Sequence, residues 1–259
     1  MTSIPKLLKL KDYITLTGTT LGIIALILGC FGTRYYISFG FFLITITLGT
    51  DLADGYIARL TNTVNRFGIE LDSLSDSLTF GIAPAVLIFQ AFRTGGIYDY
   101  VIIIGCISFA LGALLRLARF NITTEEQSGY TGVPTPLSCL TIIVFFYGNY
   151  FLSYGLGGIT HPFPEISYYL IPIIMIFIGW FNITTHIKFG EKSKHIYIAV
   201  IILSPVAPII GIIGLMDPNF GISLGICIFF FACFFVLIFY FVIGFFLKSK
   251  PKKKVDDSS

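Results

Sequence analysis

Charged residues are scarce in this sequence, and their scarcity excludes most classes of soluble protein. Asp, Glu, Lys and Arg make up only 12% of its 259 residues, whereas a soluble domain carries about 25%. Hydrophobic residues account for 55% of the chain, and the mean hydropathy is +0.87. We therefore predict an all-α polytopic membrane protein that is surrounded by membrane lipids and has no nucleic-acid partner.

The patterns that mark zinc sites, disulfides and histidine chemistry are also missing. The three histidines have no partner at a useful spacing, and the five cysteines include no C-x-x-C pair. The cysteines fall in or beside apolar runs, which predicts small core residues. They give no signal for a metal site or a disulfide.

Sequence breaks between domains are absent as well. No Ser/Gly-rich linker, low-complexity block or clear internal repeat divides the chain, so residues 1–259 are predicted to form a single membrane domain. The segment 248–259 is a basic cluster followed by Asp256 and Asp257. We expect it to be a disordered, solvated flank of the last span.

Long apolar runs between short polar joints predict eight transmembrane helices. These helices cover Tyr13–Thr33, Tyr35–Ala58, Phe67–Phe92, Ile97–Leu117, Pro136–Leu156, Ile166–Thr185, Ile196–Leu215 and Gly221–Leu247. Before the first of them, Lys6, Lys9 and Lys11 alternate with apolar residues. That pattern suits a short amphipathic helix lying in the membrane interface.

The distribution of Lys and Arg predicts the orientation in the cell membrane. With the N-terminus inside, fifteen of the seventeen Lys and Arg residues fall on the cytoplasmic side, and only Arg34 and Arg93 fall outside. Both termini and the joint Arg59–Arg66 then face the cytoplasm.

Acidic residues are rare in the apolar runs, yet four of them cluster in one short segment. The segment follows D-x2-D-G-x2-A-R-x8-G-x3-D-x3-D, with Asp51, Asp54, Gly55, Ala58, Arg59, Gly68, Asp72 and Asp76 at its fixed positions. Four carboxylates near a bilayer are costly unless a cation compensates them, and a divalent metal is the simplest compensation. Metal beside apolar surface suggests phosphate chemistry on a lipid.

The spacing places these residues on two helix faces. Because an α-helix advances about 100° per residue, the fixed positions from Asp51 to Ala58 fall within about 100° of one another. Those from Gly68 to Asp76 step by four residues and form one stripe on the next helix. Facing each other across a turn near Asn62–Asn65, the two stripes would gather four carboxylates. Such a cluster suits two Mg²⁺ or Mn²⁺ ions that also bind a diphosphate.

Other residues of the motif suit a nucleotide. Gly55 and Ala58 lack bulk and would let a nucleotide approach the helix backbone closely. Arg59 ends the helix, where its guanidinium suits a phosphate or a carboxylate.

Two other classes of protein also use carboxylates in membranes. A cation transporter would show paired inverted halves and helices broken near its acids, and neither is visible around Asp51 or Asp76. A membrane prenyltransferase needs two separated Asp-rich motifs, and the second half of the spanning region has only Asp217.

The segment resembles the signature of the CDP-alcohol phosphatidyltransferases, which are integral membrane enzymes, at all eight fixed positions. The resemblance implies a binuclear metal site held by Asp51, Asp54, Asp72 and Asp76, with Asp76 also acting as general base. It implies a homodimer as well. The residues implied to contact the nucleotide are Asp51, Gly55, Ala58, Arg59 and Gly68.

Three further stretches resemble the serine O-phosphatidyltransferase branch of that family: Glu70–Ala85, Arg116–Asn121 and Gly132–Pro136. An amino-acid acceptor carries a carboxylate, which Arg binds bidentately. Arg116 and Arg119 are therefore expected in the acceptor pocket, with Asn121 and Thr135 as further candidates.

One position departs from that branch. The chain has Gly18 where the branch commonly has Asn, and threonines flank it. The resemblance therefore leaves the cytidine contact of the first helix open.

The expected reaction transfers a phosphatidyl group from CDP-diacylglycerol, or its CDP-archaeol counterpart, to the hydroxyl of L-serine, and releases CMP. The nearest alternative is the same reaction with glycerol phosphate or inositol phosphate as acceptor. A phosphorylated acceptor needs more basic residues around its pocket, and Arg116 with Arg119 does not decide between the two.

Overall fold

The computed structural model describes residues 3–61, 65–122, 130–186, 188–189 and 220–246. For residues 52–61, 130–131, 188–189 and 220 it describes the backbone alone. The described helices are α1 (Ile4–Leu7), α2 (Leu10–Cys30), α3 (Arg34–Thr61), α4 (Arg66–Asp76), α5 (Ala83–Phe92), α6 (Tyr98–Ile122), α7 (Thr135–Gly157), α8 (Glu165–Ile183) and α9 (Phe220–Phe246). A π-helical turn, Ser77–Ile82, joins α4 to α5.

Six helices of the described part are long and apolar enough to cross a membrane, which confirms a multi-pass membrane protein. They correspond to the first, third, fourth, fifth, sixth and eighth predicted spans. The second predicted span is helical throughout, within α3. The seventh, Ile196–Leu215, lies outside the described residues, so the count of eight stays a prediction.

The described residues confirm an all-helical fold, and two local features differ from the predicted helices. Strand β1 (Tyr130–Thr131) pairs antiparallel with β2 (Lys188–Phe189), which links the segment before α7 to the segment after α8. The N-terminal amphipathic helix spans only Ile4–Leu7, because α2 already begins at Leu10 and takes Lys11 into its buried face.

Small residues allow close contact between pairs of helices at two places in the bundle. Gly22 of α2 faces Thr79, where a Cβ would lie 2.3 Å from the Thr79 methyl carbon. In the same way Gly112 of α6 meets the backbone of Gly179 in α8, with only 2.4 Å between a Cβ at Gly112 and the Gly179 carbonyl oxygen. Such positions allow the close helix approach that packing in a membrane relies on.

Helix α7 lies at the centre of the described bundle and is buried along most of its length. Its Phe146 packs on Phe41 of α3 with ring centroids 4.4 Å apart, and Tyr147 stacks on Phe230 of α9 at 5.2 Å. The Tyr147 hydroxyl donates to the Ser38 carbonyl at 2.8 Å. These contacts join α3 and α9 through one aromatic core.

The basic residues lie at two ends of the bundle. The end formed by the starts of α2 and α4 carries Lys11 and Arg66, and Arg116 and Arg119 near the end of α6 lie at the same end, because Asn121 hydrogen-bonds to α4. Arg34, at the start of α3, lies at the opposite end, where its guanidinium stacks 4.1 Å from the Phe163 ring centroid. This separation matches the predicted grouping of charges. The cytoplasmic assignment and the homodimer stay predictions.

Candidate active site

A cavity opens between α2, α3 and the helix that runs from α4 into the π-helical turn. Its lining residues are Thr15, Gly18, Thr47, Thr50, Asp51, Asp72, Ser75, Asp76, Thr79 and Phe80. Three of them carry carboxylates and five carry hydroxyls, within a chain that is otherwise strongly apolar. Polar side chains converging inside a membrane protein mark a functional site.

The cavity contains three of the four predicted metal ligands. One ligand oxygen from each of Asp51, Asp72 and Asp76 lies within 4.8 Å of the other two, and all three residues are half-buried. The predicted approach of the two stripes is therefore found for these residues. Asp54 follows on the same helix as Asp51, but its side chain lies outside the described residues.

Three carboxylates this close repel one another, and the repulsion is stronger near apolar surface than in water. Oxygen ligands from two helices suit a hard divalent cation, which would offset the repulsion. The residues present therefore fit a divalent metal.

The threonine hydroxyls around the carboxylates donate back to their own helices. Thr50 donates to the Thr47 carbonyl at 3.0 Å, and Thr79 donates to the Ser75 carbonyl at 2.8 Å. A hydroxyl that donates its proton this way keeps its oxygen as an acceptor. The wall of the cavity is thus rich in acceptors, which suits a cation and the waters around it.

The helix widens directly after Asp76. Pro84 has no N–H to give to the carbonyl four residues earlier and its ring crowds that carbonyl, and the Ala83 N–H bonds instead to the Leu78 carbonyl, five residues back. Thr79, near the start of this π-helical turn, lies on the cavity face with Asp72 and Asp76. Such turns are frequent at functional sites.

Gly18 lies in the cavity wall opposite Thr50. A Cβ at residue 18 would lie 2.7 Å from the Thr50 Oγ1, which is too close for a non-bonded contact. An Asn at this position would therefore collide with Thr50. The threonine hydroxyl occupies the space that a side chain from α2 would otherwise need.

Gly68, a fixed position of the motif, leaves room for a buried ion pair between α2 and α4. Both charged residues belong to α2. The Lys11 Nζ lies 3.0 Å from the Asp12 Oδ1, and both side chains are buried. A Cβ at residue 68 would lie 2.3 Å from that nitrogen and 2.6 Å from that oxygen. Asn65 caps α4 by accepting from the Gly68 N–H at 2.7 Å. Sequence reasoning missed this pair because Lys11 followed two other lysines of an amphipathic pattern.

We expect Gly68→Ala to destabilise the site although Ala favours helices. The methyl group would displace Lys11, Asp12 or the Asn65 cap, and overpacking of this kind costs about 1–3 kcal/mol. A thermal-unfolding assay in detergent should show a lower midpoint, and activity should fall with it. Gly225→Ala is the matched control, because nothing lies within 4 Å of a Cβ there. Equal behaviour of the two variants would refute this explanation of Gly68.

Three of the four predicted acceptor residues, Arg116, Arg119 and Thr135, lie where α6, α7 and α8 meet. Arg116 is buried, and its Nη1 donates to the Thr135 hydroxyl at the start of α7 over 3.4 Å. Arg119 donates to the Ile183 carbonyl at 2.7 Å and to the Asn182 carbonyl at 3.3 Å. Because these carbonyls end α8, Arg119 acts as a cap there.

Asn121 points instead to α4. Its Nδ2 donates to the Glu70 Oε2 at 2.9 Å, and its Oδ1 accepts from the Ser73 hydroxyl at 2.9 Å. The short motif at the end of α6 thus contacts three other helices. Of its predicted acceptor ligands, Arg116 is the buried one.

The predicted nucleotide contacts fall only partly within the described residues. Gly55, Ala58 and Arg59 belong to the helical backbone of α3, but their side chains lie outside the described residues. Their roles stay predictions, as do those of Asp51 and Gly68 towards a nucleotide.

The bundle and its carboxylate site define a multi-pass membrane protein with a candidate metal centre at one end. Residues 9–186 match the family model of the CDP-alcohol phosphatidyltransferases. The chain belongs to that family, which is known for its use of divalent metal.

Curated relatives have related names. The CDP-diacylglycerol–serine O-phosphatidyltransferase of Methanocaldococcus jannaschii is 32% identical over 225 residues, which cover 86% of this chain and 92% of that protein. The archaetidylserine synthase of Methanothermobacter thermautotrophicus is 30% identical, over 57% of this chain and 62% of its own length. A Helicobacter pylori CDP-diacylglycerol–serine O-phosphatidyltransferase is 36% identical, over 44% of this chain and 48% of its own. The chain therefore aligns with nearly all of the first relative and with less than two thirds of the other two.

Proposed function

We propose that this protein transfers a phosphatidyl or archaetidyl group from its CDP-lipid to the hydroxyl of L-serine and releases CMP. The names of the relatives support serine as acceptor. The observation that carries the proposal is the cluster of Asp51, Asp72 and Asp76 in the cavity at one end of a membrane bundle.

The register of α4 and α6 supports the proposed place of the acceptor. Ser73 bonds to Asn121, and a Cβ at Gly81 would lie 3.1 Å from the Ala113 Cβ, so the two helices are antiparallel. Arg116 then falls at the level of the turn that follows Asp76. A serine whose carboxylate binds Arg116 would have its hydroxyl directed towards the aspartates.

In the proposed reaction the serine oxygen attacks the phosphorus that carries the lipid. The bond from this phosphorus to the oxygen of the CMP phosphate breaks, and CMP leaves with that oxygen. Asp76 accepts the proton of the serine hydroxyl. Divalent metal, when bound by Asp51, Asp54, Asp72 and Asp76, would neutralise the diphosphate and the charge on departing CMP.

The other residues of the motif are proposed to bind the nucleotide or to hold the helices of the site together. Asp51, with Gly55, Ala58 and Arg59 on the same helix, would contact the nucleotide, while Gly68 keeps α4 close to α2. We propose that the site binds two divalent ions, either Mg²⁺ or Mn²⁺. The polar end would face the cytoplasm, where it admits water-soluble serine, and lipid chains would enter between helices.

Arg116 is expected to govern the requirement for serine. Arg116→Ala should raise the serine KM about tenfold or more, because a lost charge-assisted bond to a carboxylate costs about 1.5–3 kcal/mol, while the CDP-lipid KM stays nearly constant. Arg116→Lys keeps the charge but loses the bidentate fork, so its KM should be intermediate. Arg93→Ala, an exposed arginine outside the cavity, is the control.

The acceptor itself is tested with purified protein, a CDP-lipid and labelled serine, glycerol phosphate and inositol phosphate in parallel. Serine should yield a labelled lipid together with CMP. Product from a phosphorylated acceptor and none from serine would move the protein to another branch of the family.

A further inference from the structure

Asn121 links the helix that carries Arg116 to the helix that carries two of the clustered aspartates. Its amide group uses both ends in this link: the nitrogen donates to the Glu70 carboxylate, and the oxygen accepts from the Ser73 hydroxyl, each at 2.9 Å. Glu70 and Ser73 flank Asp72 in the sequence of α4. The two bonds therefore fix the end of α6 to the part of α4 that presents the carboxylates.

The link lies close enough to the site to affect the separation between Arg116 and Asp76. Arg116 precedes Asn121 by five residues on the same helix, and Asp76 follows Ser73 by three on the other. Both helices are rigid over these distances, so a shift at Asn121 changes the separation between Arg116 and Asp76. Misplacement of about 1 Å can cost about a hundredfold in rate.

Helix α4 itself packs mainly on α2, and α6 meets this helix chiefly further on, along the π-helical turn. Asn121 is half-buried and Glu70 is exposed. The bonds are therefore placed to set an alignment between two helices and contribute little to the packed core.

We propose that Asn121 is a positioning residue. By bridging Glu70 and Ser73 it sets the distance between Arg116 and the aspartate cluster, and with it the alignment of the acceptor hydroxyl with Asp76. This inference rests on the proposed function. It assigns Asn121 to the support of the pocket and not to contact with the acceptor.

The hydrogen bond between Asn121 and Glu70 can be tested by exchanging its donor and its acceptor. Asn121→Asp places a carboxylate against Glu70, so the donor is lost and two like charges meet. Glu70→Gln alone keeps an acceptor for the Asn121 amide. When the two substitutions are combined, the introduced glutamine amide donates to the introduced aspartate carboxylate, and Ser73 still donates to that same carboxylate. Both bonds then return, with one of them reversed.

We expect Asn121→Asp to lower kcat/KM for serine about tenfold or more, as for loss of a hydrogen bond to a charged group. The CDP-lipid KM should stay within about twofold of the wild-type value, because Glu70, Ser73 and Asn121 are not among the residues that line the aspartate cavity. Glu70→Gln should lose less activity than Asn121→Asp, because the Asn121 amide keeps a neutral acceptor, and the double variant should recover most of the loss. If the double variant is as impaired as Asn121→Asp, the residue acts directly on the acceptor and the proposal is wrong.

A distance measurement gives a readout independent of turnover. Spin labels at Leu74 of α4 and Leu115 of α6, both exposed, report the separation of the two helices by electron paramagnetic resonance. Asn121→Asp should broaden or lengthen that distance, and the added Glu70→Gln change should restore it. An unchanged distance in Asn121→Asp would overturn the positioning role, even if activity falls.

The same design separates this inference from the proposed function. If serine is not the acceptor, the wild-type protein forms no serine lipid, and that result is seen before any variant is made. The distance measurement still reports whether the bridge holds α4 and α6 together.

Discussion

Asp51→Asn and Asp72→Asn are each expected to lower transfer activity at least a hundredfold. Loss of an outer partner of a metal ligand already costs about 10–100-fold, and these residues supply ligand oxygens of the cluster itself. The signature extends the same expectation to Asp54→Asn. Binding of Mn²⁺ to the purified protein, followed by its paramagnetic signal, should weaken in parallel.

The variants should remain folded. Asp51→Asn and Asp72→Asn each remove one of three carboxylates whose oxygens lie within 4.8 Å of one another, so the metal-free protein should be as stable as the wild type or more stable. Glu165→Gln, an exposed carboxylate at the start of α8, is the matched control and should keep full activity. Retained activity in two of the three aspartate variants would refute a metal site built from this cluster.

Asp76→Asn is expected to separate binding from catalysis. Asn keeps the size of the side chain and one ligating oxygen but cannot accept the proton of the serine hydroxyl. Turnover should therefore fall by about a hundredfold or more, the usual loss with a general base. Binding of CDP-lipid and of Mn²⁺, measured by titration, should persist.

The comparison with Asp72→Asn makes this expectation specific, because both aspartates lie on α4 and line the same cavity. Asp72→Asn should weaken metal binding and activity together. If Asp76→Asn does the same, Asp76 is only a ligand. If Asp76→Asn remains near wild-type activity, the base is another residue.

Much of this site follows from the spacing of charged residues in an apolar chain. A membrane helix has few ways to compensate a carboxylate, so the pattern from Asp51 to Asp76 already predicted two facing stripes, and the structure brings Asp51, Asp72 and Asp76 together. Hydrophobic length likewise predicted the six spans that the described residues contain.

The contacts that the sequence did not predict depend on packing between distant segments. Lys11 followed an amphipathic pattern, yet it pairs with Asp12 in a buried site because Gly68 leaves room for both. Thr47 and Thr50 of α3 lie opposite Gly18 of α2, a contact between two helices that the sequence of neither helix shows. The helical period predicts on which face of its helix a residue lies, but not which segment of the chain packs against that face.

The roles of the residues at the end of α6 likewise could not be predicted from the sequence alone. The sequence predicted Arg116 and Arg119 as acceptor ligands, because Arg suits a carboxylate, and added Asn121 from the same stretch as a further candidate. In the structure Arg119 caps α8 and Asn121 bonds to α4. Their neighbours, which lie far away in sequence, decide what each side chain is available to bind.

We propose that the aspartate cluster carries out metal-dependent transfer of a phosphatidyl or archaetidyl group to serine. This transfer is tested most directly with the purified protein in lipid nanodiscs, given CDP-lipid and labelled serine, with CMP and the serine lipid measured together. We expect equal amounts of both products with Mg²⁺ or Mn²⁺, and neither product once the divalent metal has been chelated. Serine lipid formed at an undiminished rate in the presence of chelator, or CMP released without any serine lipid, would contradict the proposal.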